Sequence, residues 1–151
     1  MCLWNRRNYR WCRKRLKEKN KNIKIVLSDP KGSALYNHIK QGELKIEGKS
    51  ITEGIGSSRV TKNFELAPID DAYSINDHDA LTVLFELLEK EGLSLGTSTG
   101  INVAGAIKLA KDLGPNHTIV TIMFYKSDIY RINMFNKKFL TEKELPYPKW
   151  L

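Results

Sequence analysis

Apolar positions along this chain alternate between short β-branched runs and longer stretches that repeat every three or four residues. The run from Asn22 to Asp29, NIKIVLSD, predicts a short buried strand closed by the turn residues Pro30 and Gly32. Ser33 is placed to cap a short helix carrying Ala34, Leu35 and Ile39 on one face, with Gly42 just past its end. From Lys45 to Asn76 the periodicity is lost in a stretch containing glycines and serines, and an irregular segment of that length is usually functional or unstructured. Order returns at Asp79, where Ala80, Val83, Leu84, Leu87 and Leu88 mark an amphipathic helix ended by Gly92. Leu93 to Gly96 reads as a brief apolar strand. A second helix runs from about Gly100 to Gly114, and HTIVTIMF, His117 to Phe124, predicts a third buried strand. Residues 135–151 read as a polar tail. Strands alternating with helices of this length predict an α/β fold of parallel-strand βαβ units, in which ligands sit at the carboxyl ends of the strands.

A chain of 151 residues is long enough for one domain with a buried core. No apolar run approaches the ~20 residues of a membrane span, and the first twenty residues carry arginines where a signal peptide needs apolar ones, so a cytoplasmic protein is expected. The net charge of +8 is unevenly spread. Ten Lys and Arg against Glu18 alone fall within residues 1–24, which leaves fifteen basic and sixteen acidic residues beyond them. The body is therefore near neutral, and the charge belongs to an N-terminal segment, residues 1–15, expected to be a solvated tail. Its mixture of Arg, Trp and Tyr also admits a nucleic-acid-associated role through phosphate pairing and base stacking. Cys2 and Cys12 have no partners at metal-ligand or disulfide-framework spacing, and His38, His78 and His117 are scattered, so no metal site is expected. Adjacent Asp70 and Asp71 fit a surface loop better than paired acid–base work. Gly96-Thr97-Ser98-Thr99-Gly100 stands at a strand-to-helix turn, where Ser98 or Thr99 would cap the helix and hydroxyls and amides could also meet an anion.

Four stretches, LKEKNKNIKIVLSDPKGSALY (16–36), ITEGIGSSRVTKNFELAPIDDA (51–72), GTSTGINVAGAIKLAKDLGPNHTIVTI (96–122) and FNKKFLTEKELPYPKWL (135–151), occur in one order and spacing. Together they resemble the C-terminal part of cysteine synthase, the O-acetylserine sulfhydrylase of the fold type II pyridoxal-phosphate enzymes. Residues 16–151 would then be a partial fold type II domain, about half of a family chain. The resemblance implies pyridoxal phosphate as cofactor and a β-replacement in which O-acetylserine loses acetate and gains sulfide. It makes Gly54, Ile55 and Gly56 the loop lining the substrate side of the cofactor, with Ser98 as a further pocket candidate. The family's N-terminal half, with its Schiff-base lysine and its loop for the substrate carboxylate, has no counterpart here. Where the resemblance places a Ser or Thr facing the pyridine nitrogen, this chain reads Phe124, Tyr125, Lys126, Ser127, so Lys126 replaces that hydroxyl. No catalytic residue is assigned, and a fragment of this kind is expected to be inactive alone. The partners it implies are a separately encoded N-terminal half or an intact cysteine synthase.

The family's phosphate loop, Gly-Thr-Gly-Gly-Thr, precedes the stretch resembling LKEKN, and here Trp4-Asn5-Arg6-Arg7-Asn8-Tyr9-Arg10-Trp11-Cys12 stands instead. Tryptophan has the single codon TGG, so a reading shifted by one base turns Trp4 and Trp11 into glycines. With permitted codons the shifted frame spells Gly-Thr-Gly-Gly-Thr-Ile-Ala-Gly. The hypothesis is that residues 1 to about 14 are an out-of-frame translation of the phosphate loop in a decayed gene. Sequencing the genomic DNA should reveal that glycine-rich reading one base downstream; a shifted frame without it refutes the idea.

Overall fold

The computed structural model describes residues 15–123 and 131–151. A helical stretch at 15–19 leads to strand β1 (Val26–Pro30), helix α1 (Leu35–Gln41), a single turn α2 (Lys62–Glu65), strand β2 (Asp71–Ile75), helices α3 (Asp77–Glu91) and α4 (Thr97–Leu113), the turn α5 (Arg131–Met134) and helix α6 (Lys137–Glu142). β1 and β2 pair in parallel, Val26 opposite Asp71 through Pro30 opposite Ile75. A parallel pair needs a long crossover, and residues 31–70 with α1 provide it.

The architecture is the α/β, parallel-strand arrangement expected from the sequence, with differences of detail. β1 starts at Val26 rather than Asn22, because the Ile25 N–H donates to the Asp70 carboxylate (2.6 Å) and the Asp70 N–H to the Ile25 carbonyl (2.8 Å), which ties the approach to the loop before β2. β2 itself lies in the stretch read as irregular. Only Ala72 and Ile75 of its five residues are buried, so its apolar signal is short. α1 ends at Gly42 in a left-handed conformation, φ 78°, as expected. Its N-cap is Ala34, not Ser33. Ser33 Oγ accepts weakly from the Leu35 N–H (3.4 Å), while the Tyr36 N–H donates to Asp29 Oδ2 at 2.8 Å. A carboxylate at the end of β1 thus secures the first turn of α1.

α3 begins at Asn76, whose side chain accepts from the Asp79 N–H (2.7 Å), and ends at Gly92. Its buried stripe is Ala80, Leu81, Leu84 and Phe85. That stripe is rotated from the expected face because α3 is covered on two sides. Ala80 packs with Ile75, Ile101 and Ala104, whereas Leu81, Leu84 and Phe85 pack with Met134 and Leu140. Residues 135–151 are accordingly not a polar tail. Leu140 is fully buried, Phe135 meets the rings of Phe85 and Trp150, and Trp150 Nε1 donates to Glu89 on α3 at 3.0 Å.

Two further expectations are corrected. The brief strand at Leu93–Gly96 is reduced to an isolated bridge at Leu95. Residues 117–123 form no strand: they are irregular, without a ladder partner among the described residues, and Val120 is 82% exposed. A β-branched run becomes a strand only where another strand completes its backbone hydrogen bonds, and the sheet described here has two strands.

The layers approach closely where glycine permits it. A Cβ on Gly105 of α4 would fall 1.9 Å from Ser28 Oγ of β1, and one on Gly100 would fall 2.5 Å from the Ala80 carbonyl oxygen of α3. Gly105→Ala is therefore expected to destabilise the fold by about 1–3 kcal/mol through overpacking, with Ser28→Gly on the same background recovering part of the loss; urea unfolding of the single and double variants measures both.

Asp29 is 1% exposed, and burial pushes its carboxyl up to about 6 against the hydrogen bonds from Ser33, Tyr36 and Leu35 that favour the charged form. A folded-state value raised above the unfolded 3.8 means that the contribution of Asp29 is full below about pH 3.8 and is lost as pH rises through about 6. Asp29→Asn keeps an acceptor for Tyr36 and removes the buried charge. Its stability relative to the parent should rise by about 1–3 kcal/mol between pH 4 and 7; parallel urea titrations across that range check the sign, and a difference independent of pH refutes it.

Candidate functional site

The carboxyl ends of β1 and β2, at Pro30 and Ile75, meet two features: the loop 50–57 and the N-terminal half of α4. Paired side chains at both ends fix the loop. At its start, Ser50 Oγ donates to Asp77 Oδ1 and the Ile51 N–H donates to Asp77 Oδ2 at 2.8 Å. At its end, the Ser57 N–H donates to Ser33 Oγ (2.9 Å), Ser33 Oγ donates to the Ser57 carbonyl (3.1 Å), and the Ala34 N–H donates to the same carbonyl (2.8 Å). Gly54 and Gly56 lie between these anchors in left-handed conformations, φ 72° and 80°. A Cβ on Gly56 would stand 2.8 Å from that of Ser33 and 3.0 Å from Pro30 Cγ, so this glycine lets the loop lie directly on the strand end. Ile55 points into the cluster of Ile75, Ala80, Ile101 and Ala104 and so joins the loop to α4.

α4 starts three residues before the expected position. Gly96 is the N-cap, without a side-chain cap, and Thr97, Ser98 and Thr99 lie within the first turn. Capping by Ser98 or Thr99 is therefore overturned: a residue inside the turn cannot fold its hydroxyl back over the helix's own first amides as an N-cap does. All of Gly96 to Asn102 is buried. The hydroxyls of Thr97 and Ser98 have no hydrogen-bond partner, and neither does Asn102 Oδ1, one turn along from Ser98. Asn102 Nδ2 donates to the Ile122 carbonyl at 2.9 Å. Burying a hydroxyl without a partner costs about 1–3 kcal/mol, so these atoms call for hydrogen-bond partners that the described residues do not supply.

The structure joins the Gly54–Gly56 loop to α4 through Ile55, which packs on the cluster containing Ile101, while Ser98 is buried one turn earlier on the same helix. Lys126 and the basic segment 1–14 lie outside the described residues. Asp70 and Asp71 are separated by their partners, Lys17 at 2.8 Å for the first and Lys40 for the second. Tyr73, expected to be part of the irregular stretch, hydrogen-bonds Asp112, and that bond raises its pKa to about 12. Asn102 and Asp29 were not singled out by sequence, and Thr97 only as part of the Gly96–Gly100 turn. An Asn among the small and apolar residues GINVAGAI is the signal that could have found Asn102.

The described lysines test the fit of a Schiff-base cofactor. Every one of them is exposed or only half-buried, and the half-buried Lys17 and Lys108 are paired with Asp70 and Asp79. No described lysine is buried at the strand ends. The described residues thus offer buried polar atoms without partners but no buried lysine for a covalent anchor. No group of three or more His, Cys, Asp and Glu among the described residues is placed to hold a metal ion. No helix among them is long and apolar enough to cross a membrane.

Comparison with known proteins agrees with this geometry. The family described as "Pyridoxal-phosphate dependent enzyme" matches residues 12–124. Cysteine synthase 2 of Schizosaccharomyces pombe is 35% identical over 143 residues, covering 86% of this chain and 36% of its own. Cysteine synthase 1 of Emericella nidulans is 37% identical over 127 residues, 82% of this chain and 34% of its own. In three dimensions, the O-acetylserine dependent cystathionine beta-synthase of Helicobacter pylori superposes with a TM-score of 0.69 at 29% identity, covering 81% of this chain and 38% of that one. The chain spans about a third of the length of the curated relatives it matches, less than the half that the resemblance implied. A match over most of the sequence, with a matching parallel α/β fold, makes this chain a member of the pyridoxal-phosphate-dependent enzyme family, similar to its cysteine synthases.

Proposed function

We propose that this chain is a portion of a cysteine-synthase-like enzyme that keeps one wall of a pyridoxal-phosphate pocket and, by itself, does not carry out the replacement of acetate in O-acetylserine by sulfide. The observation that carries this reading is the buried, unpaired hydroxyl of Ser98 at the carboxyl ends of the parallel strands, joined through Ile101 and Ile55 to the Gly54–Gly56 loop. When bound, the cofactor of this family supplies an electron sink. A neutral hydroxyl is suited to its pyridine nitrogen, since it can donate to or accept from that atom without adding charge. Ser98 offers a neutral hydroxyl of this kind as a pocket-wall group, whereas the position that the resemblance gives to the pyridine-nitrogen hydroxyl is Lys126. Gly54 and Gly56 leave room for a ring to approach the backbone closely. The anchoring group is what the described residues do not provide, because their lysines are held at the surface.

Two measurements separate the wall from the anchor. Mixing the chain with pyridoxal phosphate, reducing with borohydride and mapping the labelled peptides should give low, scattered modification of surface lysines; a stoichiometric adduct on one lysine would restore an independent enzyme. A cofactor analogue without the aldehyde, 4′-deoxypyridoxine phosphate, should bind noncovalently, and Ser98→Ala should weaken that binding about fivefold, the worth of one hydrogen bond. No binding by the parent chain, or equal binding by both, would remove Ser98 from the pocket.

A further inference from the structure

Loop 50–57 is slung between the carboxyl ends of the two strands, and each of its ends is tied down through a serine and an aspartate. At the β2 end, Asp77 takes the Ser50 hydroxyl and the Ile51 N–H (2.8 Å). At the β1 end, Ser33 Oγ accepts from the Ser57 N–H (2.9 Å) and donates to the Ser57 carbonyl (3.1 Å), which also takes the Ala34 N–H (2.8 Å). Asp29 takes the Tyr36 N–H at 2.8 Å, and its carboxylate is a second partner for the Ser33 hydroxyl. The two aspartates differ in surroundings: Asp77 is half-buried, whereas Asp29 is sealed from water.

Ser33 has one hydroxyl hydrogen, and two acceptors claim it. An ionised Asp29 is the stronger claimant, because a bond to a charged acceptor exceeds one to a neutral carbonyl. Ser57 then keeps its N–H bond to Ser33 Oγ and its carbonyl bond from Ala34, but loses the hydroxyl. A protonated Asp29 needs no donor. Its own O–H donates to Ser33 Oγ, the Ser57 N–H takes the other lone pair, and the Ser33 hydrogen turns to the Ser57 carbonyl, which is the arrangement seen here.

No charged side chain is among the groups that set the state of Asp29, which answers to burial and to Ser33, Tyr36 and Leu35. The ionisable groups on the elements around it face other partners. Lys31, two residues on, lies along Gly48; on α1 the Tyr36 ring packs with Leu27 and Phe64, and His38 meets the ring of Phe64. On β2, Asp71 pairs with Lys40 and Tyr73 with Asp112 of α4, where Lys108 pairs with Asp79. Glu53 of the loop is exposed.

We propose that Asp29, Ser33 and Ser57 form a proton-operated latch, which holds the Ser57 end of loop 50–57 against the end of β1 when Asp29 is protonated and loosens it when Asp29 is ionised. The Asp77 end acts as the fixed hinge. Folding pushes the Asp29 carboxyl up to about 6, so the latched form is fully present at low pH and is lost as pH rises through that value. The latch uses the anchors of the loop and no ligand, so it stands apart from the pocket reading.

Hydrogen exchange of the full chain at about pH 5 and about pH 7, corrected for the intrinsic exchange rate at each pH, tests the latch. Protection of the Ala34 and Ser57 amides is expected to fall about fivefold between the two, the worth of one hydrogen bond, while the Ile51 amide at the hinge keeps its protection. Asp29→Asn should abolish the pH dependence. Ser33→Ala, which keeps Asp29 and removes the shared hydrogen, should lower protection of the Ser57 end at both pH values and abolish the dependence as well, and it decides the matter if Asp29→Asn does not fold. Protection of Ala34 and Ser57 that does not change with pH overturns the proposal. So does a fall that persists in Ser33→Ala, or one that Ile51 shares.

Discussion

The close seating of α4 on the strand pair is the constraint on which the other features depend. It is possible because Gly105 presents no side chain to Ser28 and Gly100 none to the Ala80 carbonyl, so helix, sheet and α3 meet at backbone distance. That seating buries Ile101 and Ala104 against Ile75 and gives Ile55 a place to insert, which draws the glycine loop to the strand ends. It also buries the first turn of α4, so that Thr97 and Ser98 are hidden from water before they have found partners. Core packing and the candidate site are thus consequences of one set of helix-to-sheet contacts.

The parts of this arrangement that were legible in the sequence are those set by local chemistry. α3 could be read because its apolar repeat is bounded by Asn76 and Gly92, and α1 because Gly42 supplies the left-handed stop. β2 could not, because Asp71, Tyr73 and Ser74 are only partly covered and its strand character comes from pairing with β1, some forty residues earlier in the chain. Thr97, Ser98 and Thr99 look like capping residues in sequence. Only the tertiary structure shows that Gly96 takes that position and that the hydroxyls turn inward. The segment 117–123 marks the opposite failure: its strand propensity is plain, but propensity alone cannot complete a ladder. The C-terminal stretch was misjudged because Phe135, Leu140 and Leu151 are dispersed among charged residues and converge only on the surface of α3.

The candidate site was readable as a list of residues more than as a place. Gly54, Ile55, Gly56 and Ser98 could be named from motif resemblance, but what unites them is Ile55 filling a gap beside Ile101, a contact with no sequence signature of its own. Asp29 was invisible as a functional group because an aspartate before Pro-Lys-Gly reads as turn chemistry. In the fold it is a buried carboxylate that holds α1 against the end of β1.

Polar groups divide the molecule into a finished and an unfinished side. On the loop side, Asp77 takes Ser50 and Ile51, Ser33 takes Ser57, and Asp29 takes Tyr36, so the buried acceptors named there have donors. On the α4 side, Thr97, Ser98, Asn102 and Thr121 each retain a buried atom without one. Leaving four such atoms unpaired costs several kcal/mol in sum, comparable with the whole net stability of a domain of this size. Packing defects scattered at random would not gather on one helix face and the segment bonded to it. Asn37 and His38 on α1 are the other described cases, and they lie away from this face. The concentration runs along α4 from Thr97 and Ser98 to Asn102, whose Nδ2 donates to the Ile122 carbonyl next to Thr121, so one side chain links the first turn of the helix to the 117–123 segment.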